Sequence, residues 1–126
     1  IKGPFTITGG GGPVTFQPLR VQHGDIEALG FRIGGLAYLP DVSEIPDTAL
    51  PCLTGLDCWV LDALRRRPHP THFHLSQSLD WIARMKPARA VLTNMHNDLD
   101  HATLQAETPP HVDAAFDGMV IELAEP

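Results

Sequence analysis

Short apolar runs separated by glycine and proline predict that the first half of the chain is built from β-strands. Residues 5–8 and 14–22 form two such runs, and residues 9–13 between them are typical of a turn. Pro18 places the second strand at an edge or a bulge, because proline lacks the N–H that a sheet ladder needs. Residues 29–33 and 36–39 predict a second hairpin, since the glycine pair at 34 and 35 suits a two-residue turn.

In the second half, apolar runs alternate with stretches of helical spacing. Residues 59–61 and 90–93 predict two buried strands. A helix is predicted over 76–85, capped by Ser76 and stopped by Pro87, and another over 102–107, capped by Asp98 or Asp100. Residues 45–53 predict a further helix, with Pro51 limiting its length. Residues 112–116 and 119–123 flank an Asp-Gly pair, which predicts a closing hairpin.

This order of elements predicts a layered α/β (α+β) fold in which helices cover one face of a sheet. The 126 residues have the size of one domain, and neither a repeat nor a linker divides them, so residues 1–126 are interpreted as a single domain. The chain begins with Ile1 rather than Met. We therefore expect it to be part of a longer or processed polypeptide.

Composition excludes several function classes. Nine Lys and Arg against 15 Asp and Glu give a net charge of −6, which argues against a large nonspecific nucleic-acid surface. No apolar stretch approaches the length of a membrane span, and no signal peptide is visible, so no membrane partner is expected. Cys52 and Cys58 are too few for a disulfide scaffold and predict a reducing, cytoplasmic location.

Histidines, carboxylates and one asparagine lie where the predicted strands end. The residues concerned are His23, Asp41, Asp62, His69, His72, His74, Asn94, His96, Asp98 and His101. Ligands bind at the carboxyl ends of strands in open α/β sheets, because the loops converge there. Imidazole and carboxylate together suit zinc, manganese or iron. The pattern therefore predicts a shared metal site.

Structural explanations compete with this hypothesis for each residue taken alone. His74 lies near a helix start, Asp62 could cap a loop, and His111 is expected to be a surface residue. The run 65–67 of three arginines could bind phosphate, although three exposed basic residues are usually a solvated face. The four glycines at 9–12 lack the Lys-Ser or Lys-Thr of a phosphate-binding loop.

Several separated motifs resemble those of the metallo-β-lactamase-fold hydrolases. In chain order they are GFRI at 30–33, LAYLPDVSEIP at 36–46, LDALR at 61–65, HPTHF at 69–73, LTNMHNDLD at 92–100 and FDGMVI at 116–121. The branch they resemble includes the phosphonate-pathway cyclic phosphodiesterase and, more distantly, the tRNA 3′-processing nucleases. The resemblance extends from about residue 19 onward and implies the later part of a four-layer αββα sandwich.

The resemblance also implies roles for individual residues. His23 is expected to be a metal ligand, and Asp41 resembles the carboxylate that bridges two ions. His72, and with it His69, is expected to contact the scissile phosphate or protonate the leaving group, because the imidazole pKa lies near 6.5. Related sequences often carry Thr-His where this chain has Thr93-Asn94. Residues two apart in an extended strand face the same way, so His96 is the predicted last ligand, with Asn94 as an outer donor and His101 as a weaker alternative.

The family signature His-x-His-x-Asp-His is absent from this sequence, and the resemblance places it upstream of Ile1. The expected partners are therefore a missing N-terminal half of the same fold and a small phosphodiester-type substrate, with a homo-oligomer left open. The expected cofactors are two divalent ions, zinc or manganese. We expect a phosphodiester hydrolase in the complete protein, and a fragment that binds metal poorly and does not turn over alone. The alternatives are an ester or thioester hydrolase, a nuclease, and a non-catalytic binding or assembly module.

Overall fold

The computed structural model describes residues 1–123, which form a seven-stranded sheet with two α-helices and one 3₁₀ helix. The strands are β1 Phe5–Gly9, β2 Gly12–His23, β3 Ile26–Ile33, β4 Leu36–Leu39, β5 Cys58–Asp62, β6 Arg89–Thr93 and β7 Val112–Ala114. The helices are the 3₁₀ helix Asp47–Leu53, α1 Leu75–Met85 and α2 His101–Glu107. The strands lie side by side in chain order. The predicted layered α/β fold is confirmed.

The direction of the strands brings five of their carboxyl ends to one edge of the sheet. Strands β1 to β4 pair antiparallel, and β4 to β7 pair parallel. Two antiparallel steps separate β2 from β4, so these two strands run in the same direction. The carboxyl ends of β2, β4, β5, β6 and β7 therefore meet at the same edge, which is where loops of an α/β sheet form ligand sites.

One face of the sheet carries the main hydrophobic core. Leu19 of β2, Leu39 of β4 and Trp59 of β5 point into it and are almost completely buried. The helix α1 adds Leu75 and Ile82, which lie seven positions apart and so share one helical face. Burying a large apolar side chain contributes about 1.5–3 kcal/mol. This core fixes the strands whose ends carry the polar residues.

The opposite face has a smaller apolar cluster. Cys58, Val60 and Val91 form it, and Leu36, Ala115, Met119 and Ile121 pack against it while remaining partly exposed. Tyr38, in the middle of β4, is 44% exposed on this side. The two faces are therefore unequal: helices cover one, and only a short returning segment covers part of the other.

Most of the predicted elements are present, with some changes at their ends. The strand β2 is longer than predicted, and at Pro18 it pairs only with β3, as expected for an edge stretch. The helix α1 begins at Leu75 with His74, not Ser76, as its N-cap, and the N–H of His74 donates to Gln77 Oε1 at 3.4 Å. Asp100 caps α2. The predicted helix over 45–53 is a 3₁₀ helix that contains Pro51.

The predicted closing hairpin is wrong. Strand β7 pairs with β6 in parallel, and residues 119–123 form no strand in the described part of the chain. The turn itself exists, because the N–H of Met119 donates to the Phe116 carbonyl at 3.0 Å. Met119 and Ile121 instead pack against Val60 and its neighbours. The alternation of apolar residues in this segment therefore reflects packing on the sheet face rather than pairing with a strand.

Through residue 123, the helices are too short and too polar to cross a lipid bilayer.

Candidate metal centre

Three side chains from separate elements converge at the carboxyl edge of the sheet. His23 ends β2, Asp41 follows β4, and His72 lies in the loop after β5. One potential ligand atom from each of the three lies within 4.8 Å of the other two. The segment after β4 brings Asp41 close to His23, because the N–H of Ser43 donates to the Gln22 carbonyl at 2.7 Å. The sheet therefore assembles this group from residues far apart in sequence.

His23 is held by the loop that carries His72. Its Nδ1 lies 2.5 Å from the Thr71 carbonyl oxygen. A carbonyl oxygen only accepts hydrogen bonds, so Nδ1 carries the proton and Nε2 is left as the nitrogen available to a ligand. The approach requires Gly24, which has φ +64°, since a Cβ there would lie 2.5 Å from Thr71 Cγ2. Sequence reasoning missed Thr71, because no sequence signal pairs it with His23.

His72 is held from behind by a buried carboxyl group. Asp62 Oδ2 lies 2.7 Å from His72 Nδ1 and also accepts the N–H of Val42 at 3.1 Å. Asp62 is completely buried, and this burial raises the pKa of its carboxyl group, while the hydrogen bond from His72 opposes the rise. Asp62 Oδ1 has no hydrogen-bond partner among the described residues. The loop-capping explanation for Asp62 is thus replaced by a contact that orients an imidazole.

Asp41 remains accessible, with 48% of its side chain exposed. Its Oδ1 lies 3.9 Å from His72 Nδ1 and accepts the side-chain amide of Asn94 at 3.3 Å. The rings of His23 and His72 meet edge to face, with their centroids 4.6 Å apart. The cleft thus presents two imidazoles and one open carboxylate.

His69 lies at the margin of this group. Its ring centroid is 5.3 Å from that of His72, and its Nδ1 accepts the backbone N–H of Thr71 at 3.1 Å. Desolvation and the nearby Arg65 lower the pKa of His69. The ring is therefore held with an unprotonated Nδ1, next to His72 but outside the three-residue cluster.

The structure does not bring His96 to the cluster. Strand β6 ends at Thr93, and Asn94 takes a left-handed backbone with φ +61°, so the extended geometry on which the prediction relied stops before residue 96. The side chain of His96 is 60% exposed, with Nδ1 3.7 Å from Asp98 Oδ1. His101 Nε2 lies 3.2 Å from the Ala114 carbonyl in a separate contact. The ligand role of His96 stays a prediction.

Two of the arginines at 65–67 have structural contacts. Arg65 donates to the carbonyls of Arg67 and Pro68, and Arg66 makes a two-point ion pair with Glu107 at 2.6 and 2.8 Å. His111 is exposed. Two of the three consecutive arginines are thus engaged locally, which favours the solvated-face interpretation over a phosphate site.

The donor set of the cluster fits a divalent transition metal. Two imidazoles and a carboxylate are ligands that zinc, manganese and iron accept. Both imidazoles have the outer hydrogen bond at Nδ1 that is typical of metal-binding histidines, one to a carbonyl and one to a carboxyl group. The residues present could therefore offer up to three ligands to a metal ion, which leaves room for further donors and for water.

Comparison with known sequences identifies the family of this chain. Residues 1–96 match the family model described as the beta-lactamase superfamily domain. The chain is also 32% identical over 121 residues to an octanoyltransferase of Porphyromonas gingivalis. That alignment spans 92% of this chain but 23% of the octanoyltransferase.

Comparison with solved structures agrees with this family match. A diphosphatase from the PhnP family superposes with a TM-score of 0.92 and is 35% identical, over 98% of this chain and 47% of the diphosphatase chain. Zn²⁺-bound PqqB from Methylobacterium extorquens superposes with a TM-score of 0.69 at 17% identity, over 98% of this chain and 55% of that one. The chain therefore spans about half the length of these structures and a quarter of the curated relative.

Proposed function

Given that this chain belongs to the beta-lactamase superfamily, with the metallo-β-lactamase fold, we propose that it supplies one side of the metal centre of a phosphodiester-type hydrolase. The observation that carries the proposal is the convergence of His23, Asp41 and His72 at one edge of the sheet. The 35% identity to a diphosphatase favours phosphorus ester or anhydride chemistry over other reactions of the fold. Fold by itself would not choose between them.

His23 and Asp41 would hold the metal in this proposal. Each offers an unoccupied donor atom to the cleft, Nε2 of the imidazole and an oxygen of the half-exposed carboxylate. Zinc and manganese both suit these donors. Two bound ions would lower the pKa of a water and stabilise charge on the phosphoryl oxygens.

His72 would move the proton. Its Nδ1 faces Asp62, so Nε2 is the nitrogen able to donate to a leaving oxygen in the cleft. The buried Asp62 carboxyl group fixes the ring and would stabilise the imidazolium, the protonated form that precedes donation. His69 would address the substrate from the rim of the cleft, 5.3 Å from the His72 ring.

We further propose that an N-terminal half of the fold supplies the remaining ligands. The chain aligns with 47% of the diphosphatase and lacks the His-x-His-x-Asp-His motif. The same half would cover the sheet face that bears Tyr38 and the small cluster around Val60. A site shared between two halves would leave this chain alone with weak metal affinity and no turnover.

Acyl chemistry is the less supported alternative. The likeness to an octanoyltransferase spans 23% of that protein, so its name does not assign acyl transfer to the shared segment. An ester or thioester hydrolase on this scaffold would use the same metal site. A substrate comparison, rather than the fold, separates the two.

The test uses the longest natural polypeptide that contains this sequence. Its metal content is measured after loading with Zn²⁺ or Mn²⁺, and its activity is measured on a cyclic phosphodiester, an aryl phosphodiester, a nucleoside diphosphate, RNA and an aryl ester. We expect about two ions per chain and turnover of a phosphorus substrate. His23→Ala and Asp41→Ala should abolish both, whereas His111→Ala, at an exposed histidine, is the matched control.

Two outcomes decide against this proposal. Absence of metal after loading would overturn it and leave a binding or assembly module, and turnover of the ester alone would move the chemistry to acyl substrates. Turnover of RNA alone would support phosphodiester hydrolysis and identify the enzyme as a nuclease.

A further inference from the structure

Asn94 joins the end of β6 to the loop that carries Asp41. Its side-chain amide nitrogen donates to the Pro40 carbonyl at 3.2 Å and to Asp41 Oδ1 at 3.3 Å. One amide thus contacts both the backbone before Asp41 and the carboxylate itself. We propose that Asn94 is a positioning residue that fixes the orientation of the Asp41 carboxylate, which rests on the proposed role of Asp41 as a metal ligand.

The backbone at position 94 suits this role. Asn94 has φ +61°, and the only other non-glycine residue with a positive φ within residues 1–123 is Lys86, at the C-cap of α1. Asparagine tolerates the left-handed region better than most residues. The left-handed turn ends β6 and sends the chain away from the strand direction, while the Asn94 amide reaches across to the neighbouring loop. The backbone conformation and the side-chain hydrogen bonds at position 94 therefore both favour asparagine.

Asp41 needs an external contact to hold one orientation. Its side chain is 48% exposed, and the Asn94 amide makes the only hydrogen bond to its carboxylate within residues 1–123. His72 Nδ1 is 3.9 Å away and faces Asp62 instead. An exposed carboxylate without a partner samples several rotamers, and ordering it upon binding costs affinity.

An amide has an advantage over a cationic partner at this position. A lysine or arginine would also orient the carboxylate, but its charge would compete with a metal ion for the same oxygens. The neutral Asn94 amide engages Oδ1 with a single N–H and leaves the carboxylate charged, with lone pairs free. The geometry therefore points to preorganisation of a ligand without neutralisation.

The test compares Asn94→Gly with Asn97→Gly in the longest natural polypeptide that contains this sequence. Glycine accepts a positive φ, so the first variant removes the amide without straining the backbone. Asn97 is an exposed asparagine of the same loop and provides the matched control. Zn²⁺ and Mn²⁺ affinities are measured by competition titration, the melting temperature of each metal-free protein by calorimetry, and the Asp41 rotamer by metal-free crystal structures.

We expect Asn94→Gly to weaken metal affinity by about 10-fold or more, as loss of an outer hydrogen-bond partner does elsewhere. Its metal-free melting temperature should match that of Asn97→Gly, and Asp41 should occupy more than one rotamer. Unchanged affinity together with an unchanged Asp41 rotamer would overturn the proposal. If the unsubstituted protein binds no metal, the proposed hydrolase fails, but the Asp41 rotamer still decides whether Asn94 positions it.

Discussion

Two loops follow neighbouring parallel strands at the same edge of the sheet, and each carries histidines. The loop 63–74 follows β5 and places His72 in the metal cluster. The loop 94–100 follows β6 and leaves the side chain of His96 60% exposed. Position at a strand end is common to both, so it does not distinguish a residue of the cluster from a surface residue.

The partners of the two histidine side chains differ, although backbone hydrogen bonds anchor both loops. In the first loop, Phe73 is buried and its N–H donates to the Val42 carbonyl at 2.6 Å, while the Leu64 N–H donates to the Phe73 carbonyl at 3.0 Å. These contacts fold the loop back over the sheet, next to Asp62. In the second loop, the N–H of His96 donates to the Leu64 carbonyl at 2.6 Å, but the exposed side chain lies beside Asp98, 3.7 Å away. The buried carboxyl group of Asp62 is therefore the feature that distinguishes His72 from His96.

The largest contrast is expected between the two histidines. His72→Ala should lower the turnover of the complete protein by about 10²–10⁴-fold, as expected for loss of a general acid. His96→Ala should change turnover and metal affinity by no more than about 2-fold, as for an exposed residue. Steady-state kinetics and metal titration measure both. Loss of metal from His96→Ala would restore the sequence-based prediction that it is a ligand, and loss of metal from His72→Ala would make His72 a ligand instead of a proton donor.

A second contrast tests the anchors of the two loops. Phe73→Ala should reduce the free energy of unfolding by about 3–5 kcal/mol, because it opens a cavity beneath the first loop. It should also weaken metal binding, since it loosens the loop whose Thr71 carbonyl holds the proposed ligand His23. Leu99→Ala, at a buried leucine of the second loop, should cost about 2–5 kcal/mol but leave metal affinity unchanged. Urea unfolding and metal titration are the measurements. Equal losses of metal affinity in the two variants would contradict the claim that only the first loop supports the metal site.

A third contrast concerns the carboxyl groups next to the two histidines. Asp62→Ala removes the acceptor of a buried N–H, that of Val42, and should destabilise the protein by about 1–3 kcal/mol. It should also reduce turnover by releasing His72. Asp98→Ala, beside His96 on the surface, should change the free energy of unfolding by no more than about 0.5 kcal/mol. It should leave turnover unchanged. A silent Asp62→Ala variant would show that His72 is held by the loop alone.

The smallest effect is expected at Asp100, where the second loop ends. Its carboxylate accepts the N–H and hydroxyl of Thr103, and these hydrogen bonds lower the pKa of Asp100. A lowered pKa in the folded state stabilises the fold above the ordinary aspartate value of about 3.9, and the stabilisation is lost as pH falls through the lower folded value. Asp100→Ala should therefore lose less stability on acidification than the unsubstituted protein. Thermal unfolding from neutral to acidic pH measures this, and parallel curves would contradict it.

Local sequence signals located most elements correctly. The glycine pair between β3 and β4, the proline after α1 and the Asp100 cap are each decided by a few adjacent residues. For the same reason, the strand ends that carry His23 and Asp41 could be identified. The Asp-Gly turn at 117–118 was also a local property, but whether a strand followed it depended on the distant cluster around Val60.

The sequence by itself thus determined which residue types stand at the ends of which strands, because strand and turn preferences act over a few residues. Tertiary structure alone decided which of them meet. Asp62 lies behind His72, Thr71 holds His23, and Asn94 reaches Asp41, through contacts that span 10, 48 and 53 positions of the chain. Such contacts depend on the paths of loops over a packed core, which decide whether a histidine meets a buried carboxyl group or solvent. No pattern within either loop contains that information.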